Sequence, residues 1–286
     1  MGWNEKESRI LRKIGRKNFR KMKKFLMKGR IAYFGKKADT DFWSGIWNEL
    51  SFQQKYYEAK NNKILNRAFS KYLNNNFKII EAGCGLGQWV YVLSEKGINI
   101  VGVDYCKDIV DKIVEHLNIN LKYGDVLHLD FPSNEFDCYI SIGVAEHFKE
   151  GPQLLLKEAK RVLKPGGVIF ISIPYINPFR RLKKFLMIYK KQKDGPNSDL
   201  FYQYVFTKKE FGNLLKQNDF SILESIPLYA LQGLADEFLF SWKGTYKKGS
   251  KRGSIKSFFK SIKTLETKIM RTIFAHMILF VAKKAK

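Results

Sequence analysis

The sequence of 286 residues is poor in cysteine, with only Cys84, Cys106 and Cys138. Neighbouring cysteines lie 22 and 32 residues apart. That spacing does not match zinc sites or iron–sulfur clusters, so we expect neither. The chain also lacks a long uncharged segment: the longest, residues 165–179, has 15 residues and contains three prolines, whereas a membrane span needs about 18. Few cysteines and no recognisable signal peptide predict a protein of the reducing cytoplasm.

Acidic residues are scarce at both ends of the chain, whose net charge is +25. Residues 1–37 carry 14 Lys and Arg against 2 acids, residues 241–286 carry 13 against 1, and the middle is nearly balanced at 25 against 24. Residues 1–37 are predicted to form a basic amphipathic extension of one or two helices, with Phe25 and Leu26 on the apolar face. This pattern is typical of an anchor on anionic lipid, of a nucleic-acid-binding arm, or of a helix packed on its own domain.

Residues 77–87 have the pattern of a buried strand followed by a glycine-rich turn. The apolar run at 77–82 includes Glu81, and Gly83, Gly85 and Gly87 follow at alternate positions before a helical pattern begins. A second apolar run, residues 98–103, ends at Asp104. This order of strand, turn, helix, strand and acid predicts the first half of a doubly wound α/β sheet.

The spacing of the glycines separates two classes of cofactor. Dinucleotide-binding proteins have G-x-G-x-x-G and place a pyrophosphate at the helix N-terminus. Here the pattern is E-x-G-x-G-x-G, and Glu81 would repel a pyrophosphate but suit a cofactor that carries an ammonium and a sulfonium. The run EAGCGLG followed by GVD, and RVLKPGGVIFISIP further along, resembles the class I S-adenosylmethionine (SAM)-dependent methyltransferases, in their small-molecule "type 11"-like branch.

The resemblance implies an α/β fold with a doubly wound, Rossmann-like sheet of seven strands and helices on both faces. Residues 38–286 would form this domain, with a substrate lid at 174–206, a helical insertion at 228–274 and an antiparallel last strand at 275–283. The family often places helices over the cofactor, in a region where this chain has an aromatic cluster: Phe42, Trp43, Trp47, Tyr56 and Tyr57.

The resemblance also implies which residues bind SAM. Glu81 and the glycine loop would hold the methionine portion of SAM, and Asp104 would accept the ribose hydroxyls. Tyr105 would border the adenine, and Ser141 and Ile142 would lie behind the sulfonium. Asp125 would meet the adenine amino group, although an acid there could otherwise be a plain turn residue. The implied set is Glu81, Gly83, Cys84, Gly85, Gly87, Asp104, Tyr105, Asp125, Val126, Ser141 and Ile142.

Glu146 and His147 are the candidate catalytic residues. They follow an apolar run, residues 136–142, and ligands of open α/β sheets bind where such strands end. An adjacent acid and imidazole could deprotonate an acceptor hydroxyl near neutral pH, or could simply begin a helix and shape the loop. Quinone-type relatives have another acid three residues before the Glu that helps bind a metal; here that position is Gly143, so no metal site is predicted.

The expected activity is methyl transfer from SAM to an O, N or C atom of a small, lipid-linked or glycan-linked acceptor. Basic segments at 1–37, 180–193 and 255–274 suggest work at the cytoplasmic membrane surface without spanning it. Two alternatives remain open at this point. One is an RNA methyltransferase that grips phosphate with its basic ends, and the other is a SAM-binding protein without catalysis. The oligomeric state is not predicted.

Overall fold

The computed structural model describes residues 22–191, 200–241 and 267–285. In chain order it begins with strands β1 (Lys23–Met27) and β2 (Arg30–Phe34) and helices α1 (Thr40–Asn48), α2 (Phe52–Lys60) and α3 (Lys63–Tyr72). The alternating part contains β3 (Lys78–Ala82), α4 (Gln88–Ser94), β4 (Asn99–Asp104), α5 (Lys107–His116), β5 (Leu121–Tyr123), β6 (Phe136–Ile142), α6 (Gln153–Val162) and β7 (Leu163–Pro174). The remainder contains α7 (Pro178–Phe185), β8 (Lys190–Lys191), β9 (Phe201–Val205), α8 (Lys208–Gln217), β10 (Phe220–Leu228), α9 (Ala230–Ser241), α10 (Lys268–Phe274) and β11 (Met277–Lys284).

Seven strands form the core sheet in the order β10-β11-β7-β6-β3-β4-β5. The five strands from β7 to β5 are parallel, and β11 runs antiparallel between β7 and β10. The central strands carry apolar runs because both of their faces are covered, and all of Cys138–Ser141 in β6 is buried. This arrangement confirms the predicted fold class. Because parallel strands end at one edge, the segments that follow β3, β4 and β6 meet there.

Several helices begin at the side-chain caps that their sequences offer. Asp39 accepts from the backbone N–H of Phe42 at the start of α1. Thr207 and Glu210 form a complete capping box at the start of α8, as residues of those types are expected to do. These caps satisfy N–H groups that have no partner within the helix, and they fix where each helix begins.

The prediction of a helical N-terminal extension is wrong for the described residues 22–37. Here β1 and β2 form an antiparallel hairpin in which Met27 pairs with Arg30. The connecting residues, Lys28 and Gly29, both have positive φ, as a two-residue hairpin turn requires. Ile31 and Tyr33 pack in one apolar cluster while Ala32 and Phe34 pack in another, so the true period is two and not 3.6. Residues 1–21 lie outside the described residues.

The hairpin belongs to a second, smaller sheet with the order β8-β1-β2-β9. Strand β9 is antiparallel to β2, and β8 pairs with β1 through the backbones of Lys190 and Lys191. The segment proposed as a lid, residues 174–206, therefore supplies α7, β8 and β9 in its described part. The insertion at 228–274 is helical at α9 and α10, and residues 242–266 lie outside the described residues.

A buried ion cluster joins the small sheet to α7 and α9. The Glu237 carboxylate accepts hydrogen bonds from Arg180 Nε and Lys24 Nζ, both at 3.0 Å, and from Lys183 Nζ at 2.6 Å and the Tyr189 hydroxyl at 3.1 Å. Burial alone would raise the pKa of Glu237, but the cations around it, Lys24 first, hold that pKa far below its usual range. A buried charge network satisfied on all sides fixes the relative positions of its elements.

Candidate active site

Two positions of the glycine-rich loop between β3 and α4 strongly favour glycine. Gly83 and Gly85 have φ of +79° and +53°, in the left-handed region. A Cβ on Gly83 would lie 2.4 Å from Cγ2 of Val144, and a Cβ on Gly85 would lie 2.8 Å from Cζ2 of Trp47. The loop is thus enclosed by the segment after β6 on one side and by α1 on another.

Asp104, at the end of β4, is fixed against this loop. One carboxylate oxygen accepts from the Gly85 backbone N–H at 2.8 Å, and the other accepts from the Cys106 N–H at 3.0 Å. Burial raises the pKa of Asp104, although these two donors oppose the shift. Asp104 is therefore in direct contact with the glycine loop. Each carboxylate oxygen retains a lone pair with which it could accept a ligand hydroxyl.

Glu81, within β3, is buried, and its Oε2 has no hydrogen-bond partner among the described residues. Burial, and then the neighbouring Asp104, raise its pKa well above the usual value. The Ser141 hydroxyl, on the adjacent strand β6, is also buried without a described partner. Unpaired buried polar groups are costly, so these atoms are suited to a ligand that supplies donors or positive charge. A SAM molecule, with its ammonium, hydroxyls and sulfonium, fits this set.

Helix α1 forms a roof over the loop. Trp43 and Trp47 stack with their ring centroids 5.8 Å apart, and Trp47 lies on Gly85. Two hydrogen bonds hold this roof to the segment after β4. The Tyr105 hydroxyl donates to the Ala38 carbonyl at 3.3 Å, and the Ser44 hydroxyl donates to the Asp108 carboxylate at 2.8 Å. The aromatic cluster anticipated from the sequence thus includes two residues in contact with the site.

Glu146 and His147 lie in a short 3₁₀ turn, Ala145–His147, directly after β6. Nδ1 of His147 lies 2.7 Å from the backbone oxygen of Tyr202. A carbonyl only accepts, so Nδ1 carries the proton and Nε2 keeps a lone pair, 3.9 Å from Oε1 of Glu146. Oε2 of Glu146 has no partner among the described residues.

Burial shifts the pKa values of this pair in opposite directions. It raises the pKa of Glu146 to about 8 and lowers the pKa of His147 to about 4, because each group loses hydration of its charged form. At neutral pH the imidazole is therefore neutral, and the carboxyl group can hold or release a proton near the operating pH. Two aromatic rings press edge-on against His147, those of Trp43 and Tyr202, each with its centroid at 4.9 Å.

The other predicted cofactor residues differ in how close they come to the loop. Cys84 is buried with Sγ toward Gly102 of β4, so only its backbone faces the loop. Asp125 is exposed and accepts from the Leu127 N–H at 2.9 Å, the geometry of a turn residue. Val126 is buried, and Ile142 is half-buried at the end of β6. The roles of these residues stay predictions.

Sequence reasoning assigned no role to two contacts of the site, Val144 and Tyr202. Val144 packs against Gly83 and so joins the cofactor loop to the turn that carries Glu146. Tyr202 orients His147 through its backbone carbonyl, which no side-chain pattern reveals. Within the described ranges no cluster of three His, Cys, Asp or Glu residues could hold a metal ion, and no helix is long and apolar enough to cross a bilayer.

Comparisons with known proteins agree with this geometry. The model of the family described as "Methyltransferase domain" matches residues 80–171. The demethylmenaquinone methyltransferase of Staphylococcus saprophyticus is 34% identical over 133 residues, which are 43% of this chain and 53% of that protein. The mouse protein named "Probable tRNA methyltransferase 9B" is 37% identical over 97 residues, 33% of this chain and 21% of that protein.

Similarity to solved structures concerns the fold. An S-adenosylmethionine-dependent methyltransferase from Mesorhizobium loti superposes with a TM-score of 0.51 at 14% identity, covering 79% of this chain and 100% of the other. The chain spans between about a fifth and a half of the length of the two curated relatives. Their substrates therefore do not transfer to it by similarity alone. The sheet, the glycine loop with Asp104, and the family match show that this chain contains a class I SAM-dependent methyltransferase domain.

Proposed function

We propose that this protein transfers the methyl group of SAM to an O, N or C atom of a small, lipid-linked or glycan-linked acceptor. The observation that supports this most is the pair formed by Glu146 and His147. Glu146 is buried with an unpartnered Oε2, His147 has a free lone pair, and their turn touches the cofactor loop through Val144. An unpaired acid and a neutral imidazole at this edge suit an acceptor that must lose a proton.

SAM supplies a methyl group that is already activated by its sulfonium, so the protein mainly has to align, desolvate and deprotonate the acceptor. Glu81, Asp104 and the glycine loop would hold the cofactor. With its pKa near 8, Glu146 in its ionised form is a base well matched to a weakly acidic hydroxyl or ammonium. His147 Nε2 can accept a hydrogen bond from the same acceptor and orient it. Its low pKa makes it a positioning group rather than the stronger base.

The surroundings of the pair favour a small acceptor with an apolar part. Trp43 from α1 and Tyr202 from β9 close around His147, and Phe42 packs on both of these rings. An enclosed aromatic wall suits a flat or hydrocarbon group. We place the reaction in the reducing cytoplasm, consistent with three free buried cysteines, and at the inner face of the membrane if the acceptor is lipid-linked.

RNA methylation is the second candidate, and the net charge of +25 favours it. A protein that grips several phosphates binds RNA with an affinity that falls steeply as salt rises. The partial similarity to a protein named as a tRNA methyltransferase agrees with this alternative. Saturable binding of a folded RNA at physiological salt would favour it over a small acceptor.

Activity screening with methyl-labelled SAM tests both candidates. A cell extract is divided into lipid, RNA and small-molecule fractions, and label is expected in the lipid or small-molecule fraction. Glu146→Gln should lower that incorporation by a factor of about 10² to 10⁴ if the residue acts as base. Glu150→Gln, an exposed acid four residues along, is the matched control and should not change it. Label in the RNA fraction alone, or SAM binding without turnover on any fraction, would contradict the proposal.

A further inference from the structure

The end of helix α7 exposes a run of large apolar side chains. Phe185 is 81% exposed and Met187 is 77% exposed, and three neighbours are also exposed. We call this surface the α7 patch; it consists of Leu182, Phe185, Leu186, Met187 and Ile188. Isolated exposed apolar residues are ordinary, but a contiguous patch of this kind marks an interaction surface.

Folding does not require these apolar side chains. Helix α7 ends in a Schellman motif: the N–H of Ile188 bonds the Lys183 carbonyl at 3.0 Å, and that of Met187 bonds the Lys184 carbonyl at 3.1 Å. The motif puts Met187 at φ +51°, a position where glycine is strongly favoured. The chain thus keeps a bulky side chain in a strained conformation and points it into solvent. The residue that follows the left-handed position usually packs against the last turn of the helix in this motif, but here that residue, Ile188, is exposed as well.

The inward side of α7 is fully engaged, so its orientation is fixed. Arg180 is completely buried; besides Glu237 it donates to the backbone oxygens of Tyr175 at 3.0 Å and His276 at 3.2 Å. Asn177, at the N-cap, donates to the Ala275 carbonyl at 2.8 Å. Because this face of α7 is anchored by the buried ion cluster, the opposite face cannot turn its apolar residues inward.

Basic side chains surround the α7 patch. Arg181, Lys190 and Lys191 are exposed beside it in sequence, and residues 178–191 contain six Lys and Arg and no acid. The hairpin turn adds Lys28, because Lys184 Nζ donates to the neighbouring Gly29 carbonyl at 3.0 Å. Residues 22–37 also contain six basic residues and no acid, although Lys24, Arg30 and Lys37 form ion pairs with acids elsewhere in the chain. Apolar side chains beside the exposed cations Lys28, Arg181, Lys190 and Lys191 match an interface of hydrocarbon and anionic headgroups.

The segments of this chain outside the described residues do not match the patch. Residues 192–199, QKDGPNSD, contain no large apolar side chain. Residues 242–266 carry eight basic residues against one acid, and residues 1–21 carry eight against two. Docking of either basic segment would bring positive charge onto a positive rim. Charge complementarity therefore favours an anionic partner from outside the chain.

We propose that the α7 patch docks this protein on an anionic lipid bilayer, with Phe185 and Met187 inserted among the headgroups and Arg181, Lys190, Lys191 and Lys28 on the phosphates. Helix α7 follows β7 at the sheet edge where β3, β4 and β6 also end, so docking would bring the acceptor side toward the membrane. The N-terminal residues Phe25 and Leu26, which the sequence places on the apolar face of a possible lipid anchor, are half-buried in β1.

Co-sedimentation of the full-length protein with vesicles tests this proposal. The vesicles are phosphatidylcholine alone, or phosphatidylcholine with about 30 mol% phosphatidylglycerol. Binding to the anionic vesicles only is expected. Phe185→Ser with Met187→Gly should lower the partition coefficient at least about tenfold, since two exposed apolar side chains are lost. The melting temperature of this variant should stay the same or rise, because glycine relieves the left-handed position.

Two further variants separate charge from apolar insertion. Lys190→Gln with Lys191→Gln keeps the backbone pairing of β8 and should weaken anionic binding about 25-fold, at roughly fivefold for each basic residue near a charged surface. The residual binding should depend less on salt. Leu154→Ser with Val114→Ser removes two exposed apolar side chains elsewhere on the protein and should leave vesicle binding unchanged.

The proposal is overturned by any of four outcomes. The first is no vesicle binding by the wild type, and the second is equal binding to neutral and anionic vesicles. The third is equal vesicle binding by the wild type and the Phe185/Met187 variant. The fourth is a wild-type dimer in sedimentation velocity that this variant loses while it still binds vesicles, which would assign the α7 patch to a second copy of the chain. Loss of RNA binding in the Lys190/Lys191 variant without any change on vesicles would assign the basic rim to RNA. The experiment uses neither SAM nor acceptor, so its failure leaves the proposed methyl transfer untouched.

Discussion

Burial of Glu146 should make the stability of this protein fall as pH rises, and Glu146→Gln should remove that effect. The pKa of the folded carboxyl group is about 8, against 4.5 when it is free. Between these two values the native state keeps a proton that the unfolded chain has released, so stability decreases with rising pH and levels off above about pH 8. A difference of 3.5 pH units at 1.36 kcal/mol per unit sets an upper limit of about 5 kcal/mol.

We expect a stabilisation of about 2–5 kcal/mol by Glu146→Gln at pH 9, and little difference between the two proteins at pH 4, where both folded and unfolded states are largely protonated. The substitution keeps shape and removes only the titration. Denaturant unfolding of the protein without cofactor, at pH 4 and pH 9, measures the difference directly. Other groups titrate equally in both proteins, so the comparison between variants isolates Glu146.

Two results would refute this reasoning. Parallel pH profiles for wild type and Glu146→Gln would show that the carboxyl group is ionised and hydrated in the folded protein. A similar gain from Glu150→Gln, which is exposed in the same segment, would show a general charge effect. The same titration should appear in catalysis: kcat/KM should rise through about pH 8 in the wild type, because a base must be ionised, and the variant should lack this rise.

Three more substitutions test other parts of the structure. Asp104→Ala should weaken SAM binding by about 1.5–3 kcal/mol, or about 10- to 150-fold in Kd by calorimetry, since charge-assisted hydrogen bonds are lost. Gly85→Ala should weaken SAM binding by at least about tenfold, because its Cβ would strain the left-handed loop and meet Trp47 at 2.8 Å; unchanged affinity would contradict the roof. Glu237→Gln should cost about 3–5 kcal/mol in chemical denaturation, whereas Glu224→Gln, whose ion pair is exposed, should cost less than about 1 kcal/mol; equal losses would contradict the role of the ion cluster.

The core sheet could be predicted because its sequence signals are local. Each strand of the parallel sheet is a short apolar run, and the glycines and the acid predicted to bind the cofactor lie at or directly after the ends of β3 and β4. The hairpin could not be predicted in this way. Met22, Phe25 and Leu26 fit helical spacing by chance. The alternating residues Ile31 and Ala32 are buried in two different apolar clusters, and both clusters include residues that lie far away in the sequence. Tertiary context decided the period there.

The site shows the same division between local and distant signals. The pair of Glu146 and His147 was found because both lie directly after a buried strand. The partner that fixes the tautomer of His147 is a backbone oxygen 55 residues away, in a different sheet. Likewise, Arg180 was grouped with surface lysines, although it is fully buried on Glu237, 57 residues further along. A charge run in a sequence gives no indication of which member has a buried partner.

The identity of the acceptor has to be sought in the small sheet rather than in the family match. The matched residues, 80–171, contain the glycine loop, Asp104 and the candidate catalytic pair, Glu146 and His147. The groups that enclose the acceptor side of His147 come from outside that range: Trp43 precedes it, and Tyr202 follows it. If the proposed function is correct, the matched part holds the machinery common to methyltransferases, and the acceptor is selected by side chains of α1 and β9. Relatives that align only with the shared part can differ in acceptor without any change in the residues that bind SAM.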